Sequence, residues 1–504
     1  MFDVVVYGAT ASGVMAAIAA ADAGSRVVLL EPGHHVGGMV SGGLGGTDRG
    51  VEDVIGGLAR TFYTRVGERY GVGPWELAGP EPGVAESILR AWLREAAVEV
   101  AFGSRVEGVG RQGQSIDRLV TADGTSFRGR VFIDATYEGD LLAGAGVTYA
   151  VGRESVSLYG ESWAGRQPIR PDPHQFTVPV SPFVDGQPGQ LLPLMHDRPL
   201  LPEGDGDGGV QSCAYRLCLT DRADNRIPFP RPDDHDPTRY ELLRRFLVAT
   251  APGLQVGDLF TLRNRLPNDK IDANSKGPIS TNLLDGSSWA YPDADPAQRR
   301  AIQEHHLRYT QGLMYFLAND PGVPASLRAE MSRWGLCADE FADSDHWPHQ
   351  LYVRDERRMA GEYVLTQHDL ERQRTHYDAV AMGSYHIDIR EVQRVWMPVS
   401  RFGIQSPETF NEGYLSVPVR PYQVPYRSLL PRYAECDNLI VPVCLSASHV
   451  AFASVRMEPQ YMMLGHAAGT AAALAVRDGR AVHRVDVAEL QRRLVSQGQI
   501  LGQE

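Results

Sequence analysis

The hydrophobic pattern opens with a short apolar strand, a helix of small residues and a second apolar strand. Residues 2–7 are rich in β-branched side chains, which indicates a buried strand. Val14 to Ala23 is rich in Ala and lacks Pro, so it predicts a helix that ends at Gly24. Val27 to Glu31 predicts a second strand that ends in a carboxylate. The order predicts a βαβ unit with a tight turn, residues 8–13, at the N-terminus of the helix.

The pattern continues with a mixture of helices and strands. Helical spacing of apolar residues covers 51–70 and 85–98, and alternation predicts strands at 98–102 and 104–109 and a hairpin between 116 and 127. A buried strand follows over 130–136 and ends in Asp134, Ala135 and Thr136. In α/β sheets ligands bind at the carboxyl ends of strands, so this strand end is a second candidate cofactor contact.

The composition and the hydrophobic pattern of the chain change near residue 151, and the opening pattern returns near residue 426. Pro, Asp and Arg become frequent, with strands predicted at 211–220 and 350–354 and long helices within 296–334. A buried strand (436–445), a polar turn (446–449) and a small-residue helix (462–475) then repeat the opening pattern. We therefore expect a cofactor domain made of residues 1–150 and 426–482, interrupted by an insertion over 151–425 and followed by a C-terminal helix or tail over 483–504.

Composition narrows the function classes. The 504 residues are 43% hydrophobic, enough for a large core and two domains, and the net charge of -13 argues against a nucleic-acid surface. The five cysteines form no C-x-x-C pair, so neither a disulfide framework nor a metal site is expected. No apolar run approaches the ~18 residues of a membrane span, and the first residues do not resemble a signal peptide. We expect a cytoplasmic protein that acts on a small molecule.

The turn after the first strand carries the main candidate chemistry. It follows the G-x-G-x-x-G pattern at Gly8 and Gly13, with Thr10 in the middle position and Glu31 placed to bond a ribose. Helix N–H groups and the helix dipole would hold a pyrophosphate there. An ordinary βαβ turn without a ligand is the alternative, but strand, turn, helix, strand and acid occur here in the order that the fingerprint requires.

A glycine-rich segment, residues 32–48, follows that acid. It suits a loop whose backbone passes close to a flat ligand, although a flexible linker is the alternative. Its His34 and His35 could be covalent flavin anchors or simply exposed loop histidines. The acidic run 203–209 resembles a calcium loop, but a solvated turn is the better interpretation. His346 and His349 could bind a metal, but no third ligand is evident. The arginines at 354, 357 and 358 could clamp an anion or could pair with the acidic residues at 355, 356 and 362.

Taken together, the two ends resemble flavoproteins of the glutathione-reductase structural class and, more closely, the FAD-dependent oxidoreductase family. The matching segments span almost the whole chain: residues 7–13, 31–32, 36–44, 133–141, 151–154, 352–359, 425–428, 446–449, 454–459 and 464–469. Threonine at the middle fingerprint position is usual in this family. The resemblance implies an α/β fold: a Rossmann-like FAD-binding domain of the glutathione-reductase type with an inserted α+β substrate or cap domain.

The resemblance also assigns cofactor contacts. Gly8, Thr10, Ser12 and Gly13 would cradle the FAD pyrophosphate, with Ala11 in the same turn. Glu31, followed by Pro32, would bind the adenosine ribose, and Val106 would meet the adenine through its backbone. Gly37, Gly38 and Met39, with Ser41, would run beside the ribityl chain and flavin. Asp134, Ala135 and Thr136 form the later strand end, and the turn before the last helix, through Gly465, would approach the pyrimidine edge of the flavin.

The chemistry implied is hydride transfer from a small polar substrate, such as a sugar, polyol, amine or amino-acid-like molecule, to flavin N5. His449, in the turn before the last helix, is the first candidate for the base, although it could merely bond the flavin or the backbone. Arg456 could orient the substrate; Tyr137 and Glu138 are the next catalytic candidates, and Arg357 and Arg358 come third. An NAD-dependent dehydrogenase, or a flavin-fold protein with a lyase or binding role, is the alternative. The sequence leaves the oligomeric state open.

Overall fold

The computed structural model describes residues 1–372, 374–401 and 403–502, without the side chains of Arg263 and Arg372. Its helices and strands fall into three consecutive stretches of the chain. The first stretch contains β1 (Val4–Tyr7), α1 (Ala11–Asp22), β2 (Val27–Leu30), α2 (Gly57–Tyr70), α3 (Pro82–Glu95), β3 (Glu99–Ala101), β4 (Val106–Gln112), β5 (Ser115–Thr121), β6 (Ser126–Arg128), β7 (Val131–Asp134), α4 (Asp140–Gly144) and β8 (Tyr149–Ala150).

The remaining helices and strands lie in the second and third stretches. The second contains α5 (Val156–Tyr159), β9 (Leu217–Thr220), β10 (Arg226–Ile227), α6 (Glu241–Thr250), α7 (Val256–Leu259), β11 (Phe260–Leu266), β12 (Lys270–Ser275), α8 (Pro296–Asn319), α9 (Ala325–Met331), β13 (Gly335–Cys337), β14 (Arg358–Met359), α10 (Gln367–Arg372), β15 (Ala379–Gly383), β16 (Ile387–Ile389), β17 (Gln393–Arg401), β18 (Ile404–Glu412), β19 (Leu415–Val417) and β20 (Tyr422–Pro425). The third contains β21 (Leu439–Ile440), α11 (His449–Val455), α12 (Glu458–Asp478) and α13 (Val487–Ser496).

A parallel sheet in the order β21-β7-β1-β2-β3 forms the centre of the cofactor half. Its strands β1, β2 and β7 are fully buried, which explains their unbroken apolar sequences, since both faces of a parallel sheet are covered. β7 pairs with β1 on one side and with β21 on the other, so segments from both ends of the chain share this sheet. The α/β fold class predicted from the sequence is confirmed.

The middle stretch builds a second, antiparallel sheet. Its order is β10-β13-β9-β12-β11, and the long hairpin β17–β18 lies in the same part of the chain. Helix α8 begins at Pro296, as the predicted range 296–334 allows, because Asp295 caps it: the Asp295 side chain accepts hydrogen bonds from the backbone N–H groups of Ala297 and Gln298. This mixture of antiparallel strands and helices fits the α+β character expected of the insertion.

Three predicted strands are shortened or absent. The prediction for 211–220 is met only by β9, Leu217–Thr220. Residues 350–354 form no strand, and Tyr352 makes only an isolated bridge to Ala214. The run 436–445 is a strand only at Leu439–Ile440, because Pro442 has no N–H group to continue the ladder. No helix among the described residues is both long enough and apolar enough to cross a membrane.

Candidate active site

The turn between β1 and α1 has the geometry of an anion-binding turn. Gly8 has φ +94°, and a Cβ there would lie 2.8 Å from the backbone N of Thr136. Thr10 caps α1 by accepting a hydrogen bond from the N–H of Gly13 (3.2 Å), while its own hydroxyl donates to the carbonyl of Ala135 (2.7 Å). Threonine in the middle fingerprint position therefore ties the turn to the end of β7. Ala11 and Ser12 form the first helical residues, and the Ser12 hydroxyl is buried without a partner among the described residues.

Glu31 lies at the carboxyl end of β2, where a ribose is expected. Its two carboxylate oxygens accept hydrogen bonds from the N–H groups of Ala9 (2.8 Å) and Gly33 (2.7 Å), which leaves a lone pair on each for a hydroxyl donor. Burial raises the pKa of Glu31 to about 7, although those two hydrogen bonds lower it. Pro32 beside it is exposed. The backbone N–H of Val106, which is predicted to meet the adenine, donates to the Tyr7 hydroxyl (3.2 Å) in this structure.

The glycine-rich loop is held by three backbone contacts. The N–H of Gly37 donates to the carbonyl of Ala9 (2.7 Å), and the Ser41 hydroxyl donates to the carbonyl of Val36 (2.6 Å). The N–H of Met39 donates to the Tyr137 hydroxyl (2.9 Å), and a Cβ on Gly38 would lie 2.5 Å from the same oxygen. The loop is thus fixed against the end of β7, as a loop that lines a flat ligand would need to be.

Tyr137 and Glu138 follow β7 directly and are both engaged with protein groups. The Tyr137 hydroxyl donates to Oε1 of Glu458 on α12 (2.7 Å) while it accepts from Met39. Burial raises the pKa of Glu458 to about 8, although its hydrogen bond with Tyr137 lowers it. Glu138 accepts a hydrogen bond from the Tyr291 hydroxyl (3.1 Å), and burial raises its pKa. Since the Tyr137 hydroxyl is engaged on both sides, its role in the structure is to join three segments.

Asp134 organises the turn that follows β7. Its carboxylate accepts hydrogen bonds from the N–H (3.1 Å) and hydroxyl (2.7 Å) of Thr136 and from the N–H of Leu142 (2.8 Å). Burial raises the pKa of Asp134 to about 6, although these bonds lower it. The three residues predicted at this strand end therefore support the turn, with Ala135 contributing the carbonyl that binds Thr10.

The local structure predicted around Gly465 is wrong. Gly465 does not lie in a turn before the last helix; it lies inside α12, which begins at Glu458. A Cβ at this position would lie 2.1 Å from the carbonyl oxygen of Ser12, so the glycine permits close contact between α12 and α1. The N-terminus of α12 instead presents Glu458 and Gln460, and Oε2 of Glu458 and both amide atoms of Gln460 are buried without partners among the described residues.

His449 is the first residue of α11, a short helix that the sequence analysis missed. Ser448 caps this helix, and the backbone N–H of His449 donates to Oε2 of Glu154 (2.9 Å). The His449 side chain is 1% exposed, and its Nδ1 lies 2.5 Å from Oδ2 of Asp355. Arg358 holds the other oxygen of Asp355 (2.5 Å) and also bonds Glu154 (2.7 Å). Nε2 of His449 has no partner among the described residues.

The pKa of Asp355 reflects this arrangement. Burial alone would raise it, but Arg358 and His449 outweigh burial and hold the pKa below its ordinary value. Asp355 is therefore a stable anion that holds Nδ1 of His449 and leaves Nε2 without a partner among the described residues. From the sequence, Asp355 is expected only as a partner for the arginines and Glu154 is not expected at this site, because neither residue lies near His449 in the chain.

The predicted arginines separate into paired and unpaired groups. Arg357 bonds Asp140 (2.9 Å) and the carbonyl of Glu138 (3.1 Å), and Arg358 bonds Asp355 and Glu154. Arg354 donates a hydrogen bond to the carbonyl of Ser212 and has no carboxylate partner within the described residues. Arg456, at the end of α11, donates to the carbonyl (2.9 Å) and carboxylate (3.2 Å) of Asp388.

The loop histidines contact protein groups. His35 lies between Glu86 (3.1 Å) and Asp343 (3.2 Å) and stacks on His349, with ring centroids 3.7 Å apart. His34 is exposed, and His346 places Nδ1 2.9 Å from the carbonyl of Glu340. Within the part of the chain that the structure describes, no group of three or more His, Cys, Asp or Glu could hold a metal ion.

The residues around β1, the glycine-rich loop and α12 fit FAD. Its pyrophosphate needs N–H donors and a close backbone, which the turn at residues 8–13 supplies. Its hydroxyls and pyrimidine edge need donors and acceptors. The Ser12 hydroxyl, Oε2 of Glu458 and the amide of Gln460, on the adjoining helices α1 and α12, have no partner among the described residues and could supply these.

A model of the FAD dependent oxidoreductase family matches residues 3–494, and no curated protein sequence matches the chain. Among solved structures, thioredoxin reductase from Lactococcus lactis is 20% identical over 27% of this chain and 35% of its own, with a TM-score of 0.19. L-proline dehydrogenase from P. horikoshii is 14% identical over 30% of this chain and 58% of its own (TM-score 0.25), and GidA from Aquifex aeolicus is 18% identical over 26% and 24% (TM-score 0.22). The chain thus covers less than two thirds of each of these structures, and the partial likenesses carry no argument about substrate.

The family match confirms the predicted cofactor, and the NAD-dependent alternative has no support from it. The chain therefore belongs to the FAD-dependent oxidoreductase family, and its cofactor is FAD.

Proposed function

We propose that the protein oxidises a small polar substrate, such as a sugar, polyol, amine or amino-acid-like molecule, with His449 as the general base. The observation that carries this proposal is the pair formed by Asp355 and His449, in which Nδ1 is bonded at 2.5 Å and Nε2 has no partner among the described residues. When bound, FAD supplies a hydride acceptor at N5.

The residues of the chain supply the proton transfer. Nε2 of His449 takes the proton from the substrate O–H or N–H group next to the carbon that is oxidised. The carboxylate of Asp355 holds the ring in the tautomer with Nδ1–H and stabilises the positive charge that then develops. Arg358 keeps Asp355 in place, and Glu154 fixes the backbone of His449, so both act as positioning residues.

Anaerobic reduction of the bound flavin by a panel of sugars, polyols, amines and amino acids tests this proposal. We expect at least one class to reduce the flavin of the wild type. His449→Ala should retain FAD but reduce it about 10²–10⁴-fold more slowly, the usual contribution of a general base. Asp355→Asn should also slow reduction and change its pH profile, because the imidazole loses its charged partner.

His305→Gln is the matched control, since this histidine lies on α8 and bonds Asp285 (2.8 Å). It should reduce the flavin at the wild-type rate. Unchanged kinetics in His449→Ala would remove His449 from the catalytic role. A wild-type flavin that stays oxidised with every class in the panel would contradict the proposed reaction.

A further inference from the structure

Four buried arginines lie together where the substrate half meets the glycine-rich loop. We call Arg216, Arg354, Arg390 and Arg456 the arginine cluster; each is at most 8% exposed. Three have a carboxylate partner: Arg216 bonds Asp272, Arg456 bonds Asp388 at 3.2 Å, and Arg390 lies 3.6 Å from Glu391. Arg354 has none within the described residues, and the hydrogen bond found for it is donated to the carbonyl of Ser212.

The environment of Arg354 opposes its positive charge. Burial lowers the pKa of this guanidinium to about 10; Tyr352 raises it, while Arg390, Arg456 and Arg216 lower it further. A buried cation without a counter-charge is costly, so such groups in proteins are normally paired with an anion. The counter-charge that Arg354 lacks among the described residues is therefore expected from a ligand.

Several hydrogen-bond donors near Arg354 are also buried and have no partner in the part of the chain that the structure describes. The Ser212 hydroxyl, Nε2 of Gln211 and Nε of Arg456 are buried and have no partner among the described residues. Ser212 bonds Arg354 through its carbonyl, and Gln211 accepts a hydrogen bond from the N–H of Arg390 (2.9 Å), so these atoms belong to the same cluster. Unpartnered donors beside an unpaired guanidinium match a ligand that accepts several hydrogen bonds.

The pairing of charges in the cluster leaves one guanidinium without a carboxylate of its own. Asp272, Asp388 and Glu391 lie beside three of the four guanidinium groups, and the fourth, Arg354, has no such partner among the described residues. Burial raises the pKa of nearby Asp48, while Arg216 and Arg456 lower it. A carboxylate matches one guanidinium in charge and can accept two parallel hydrogen bonds from it.

The cluster adjoins the segments that fit the cofactor. Asp272, the partner of Arg216, accepts a hydrogen bond from the N–H of Gly46 in the glycine-rich loop (2.8 Å). Arg456 ends α11 just before α12 begins, and α11 starts at His449. The unpaired guanidinium therefore lies in the region where a substrate of the proposed oxidation would bind.

We propose that Arg354, assisted by Ser212, binds the carboxylate of a small carboxylate-bearing substrate. This inference rests on the proposed function, because it names the class of molecule that the same site would oxidise. It gives Arg354 the role of a substrate-binding residue and leaves proton transfer to His449.

Binding to the FAD-loaded enzyme tests the proposal without relying on turnover. The probes are short 2-hydroxy and 2-amino carboxylates, each paired with the carboxamide that lacks only the carboxylate charge, and inorganic phosphate. The readouts are calorimetry and the visible spectrum of the bound flavin. At least one carboxylate should bind about tenfold or more tightly than its amide, the loss expected when a charge-assisted hydrogen bond is removed. Equal binding of acid and amide, binding of phosphate alone, or binding of no carboxylate would overturn the proposal.

Variants separate recognition from folding. Arg354→Gln should weaken the best carboxylate about tenfold or more, Arg354→Lys should weaken it less because it keeps the charge, and Ser212→Ala should weaken it several-fold. Arg333→Gln, at an arginine whose side chain is 72% exposed, is the charge-matched control and should bind like the wild type. If Arg354→Gln does not fold, Arg354→Lys and Ser212→Ala decide; full affinity in both would overturn the proposal. Carboxylate binding without flavin reduction would support this binding site and contradict the proposed oxidation. Flavin reduction by neutral substrates alone would support the proposed oxidation and contradict this binding site.

Discussion

At the scale of single residues, Glu458 shows how burial changes the chemistry of the site. Its carboxyl group accepts a hydrogen bond from Tyr137 at 2.7 Å, and burial raises its pKa to about 8. The folded protein therefore holds a proton at Glu458 at pH values where the unfolded chain has released it. This stability is fully present below the ordinary glutamate pKa and is lost as pH rises through about 8.

Glu458→Gln should remove this pH dependence. We expect the free energy of unfolding of the cofactor-free wild type to fall relative to the variant by about 1.4 kcal/mol per pH unit between pH 5 and 8, the slope for one proton. Urea unfolding across this range provides the measurement. Glu99→Gln, at an exposed carboxylate on β3, should run parallel to the wild type. A Glu458→Gln curve parallel to the wild type would contradict the raised pKa.

At the scale of elements, the close contact of α1 with α12 depends on small residues. A Cβ at Gly465 would lie 2.1 Å from the carbonyl oxygen of Ser12, and a Cβ at Gly469 would lie 2.1 Å from that of Ala16. These obstacles are backbone atoms of a buried helix, so they cannot move aside as a flexible side chain would. The pair of helices can therefore approach only where the sequence keeps glycine.

Gly465→Ala should lower the free energy of unfolding by about 1–3 kcal/mol, the usual cost of overpacking a core. It should also weaken FAD retention, because α1 carries the turn expected to bind the pyrophosphate. Thermal unfolding and the flavin content of the purified protein measure the two effects. Gly257→Ala is the matched control, since a Cβ there meets nothing within 4 Å; it should be neutral or slightly stabilising. Equal stability of both variants would argue against tight helix packing.

The elements that the sequence predicted well are those with local causes. The unit β1–α1–β2 follows from apolar runs and glycines that are adjacent in the chain. Helix α11 was missed because its seven residues are all buried, so no polar face produces a helical pattern. The pairing of Asp355 with His449 could not be predicted, since it joins residues far apart in sequence and depends on how the insertion folds back.

At the scale of the whole molecule, the cofactor is expected to connect the two ends of the chain. The first turn of α1 and the N-terminus of α12 both carry buried polar atoms, at Ser12, Glu458 and Gln460, that have no partner within the described part of the chain. A ligand that satisfies these atoms binds the folded state alone and stabilises it by mass action.

Removal of FAD should lower the melting temperature and increase amide hydrogen exchange in α1 and α12 together. A ligand present at a hundredfold excess over its dissociation constant contributes about 2.7 kcal/mol, which is readily detected. Differential scanning fluorimetry and exchange mass spectrometry of holo and apo protein provide the test. The hairpin β17–β18 is the internal reference and should exchange equally in both forms. A change confined to α1 would contradict the shared role of the two helices.

The order of strands in the parallel sheet has a consequence for how the protein is made on the ribosome. β7 lies between β1 and β21, and its Phe132 pairs with Leu439. During synthesis the first four strands of this sheet can assemble, but one side of β7 keeps its N–H and C=O groups unpaired until the insertion has emerged. An open strand of this kind is a template for pairing with another nascent chain. The insertion therefore delays completion of the sheet, and the growing chain passes through a stage in which protection by a chaperone matters most.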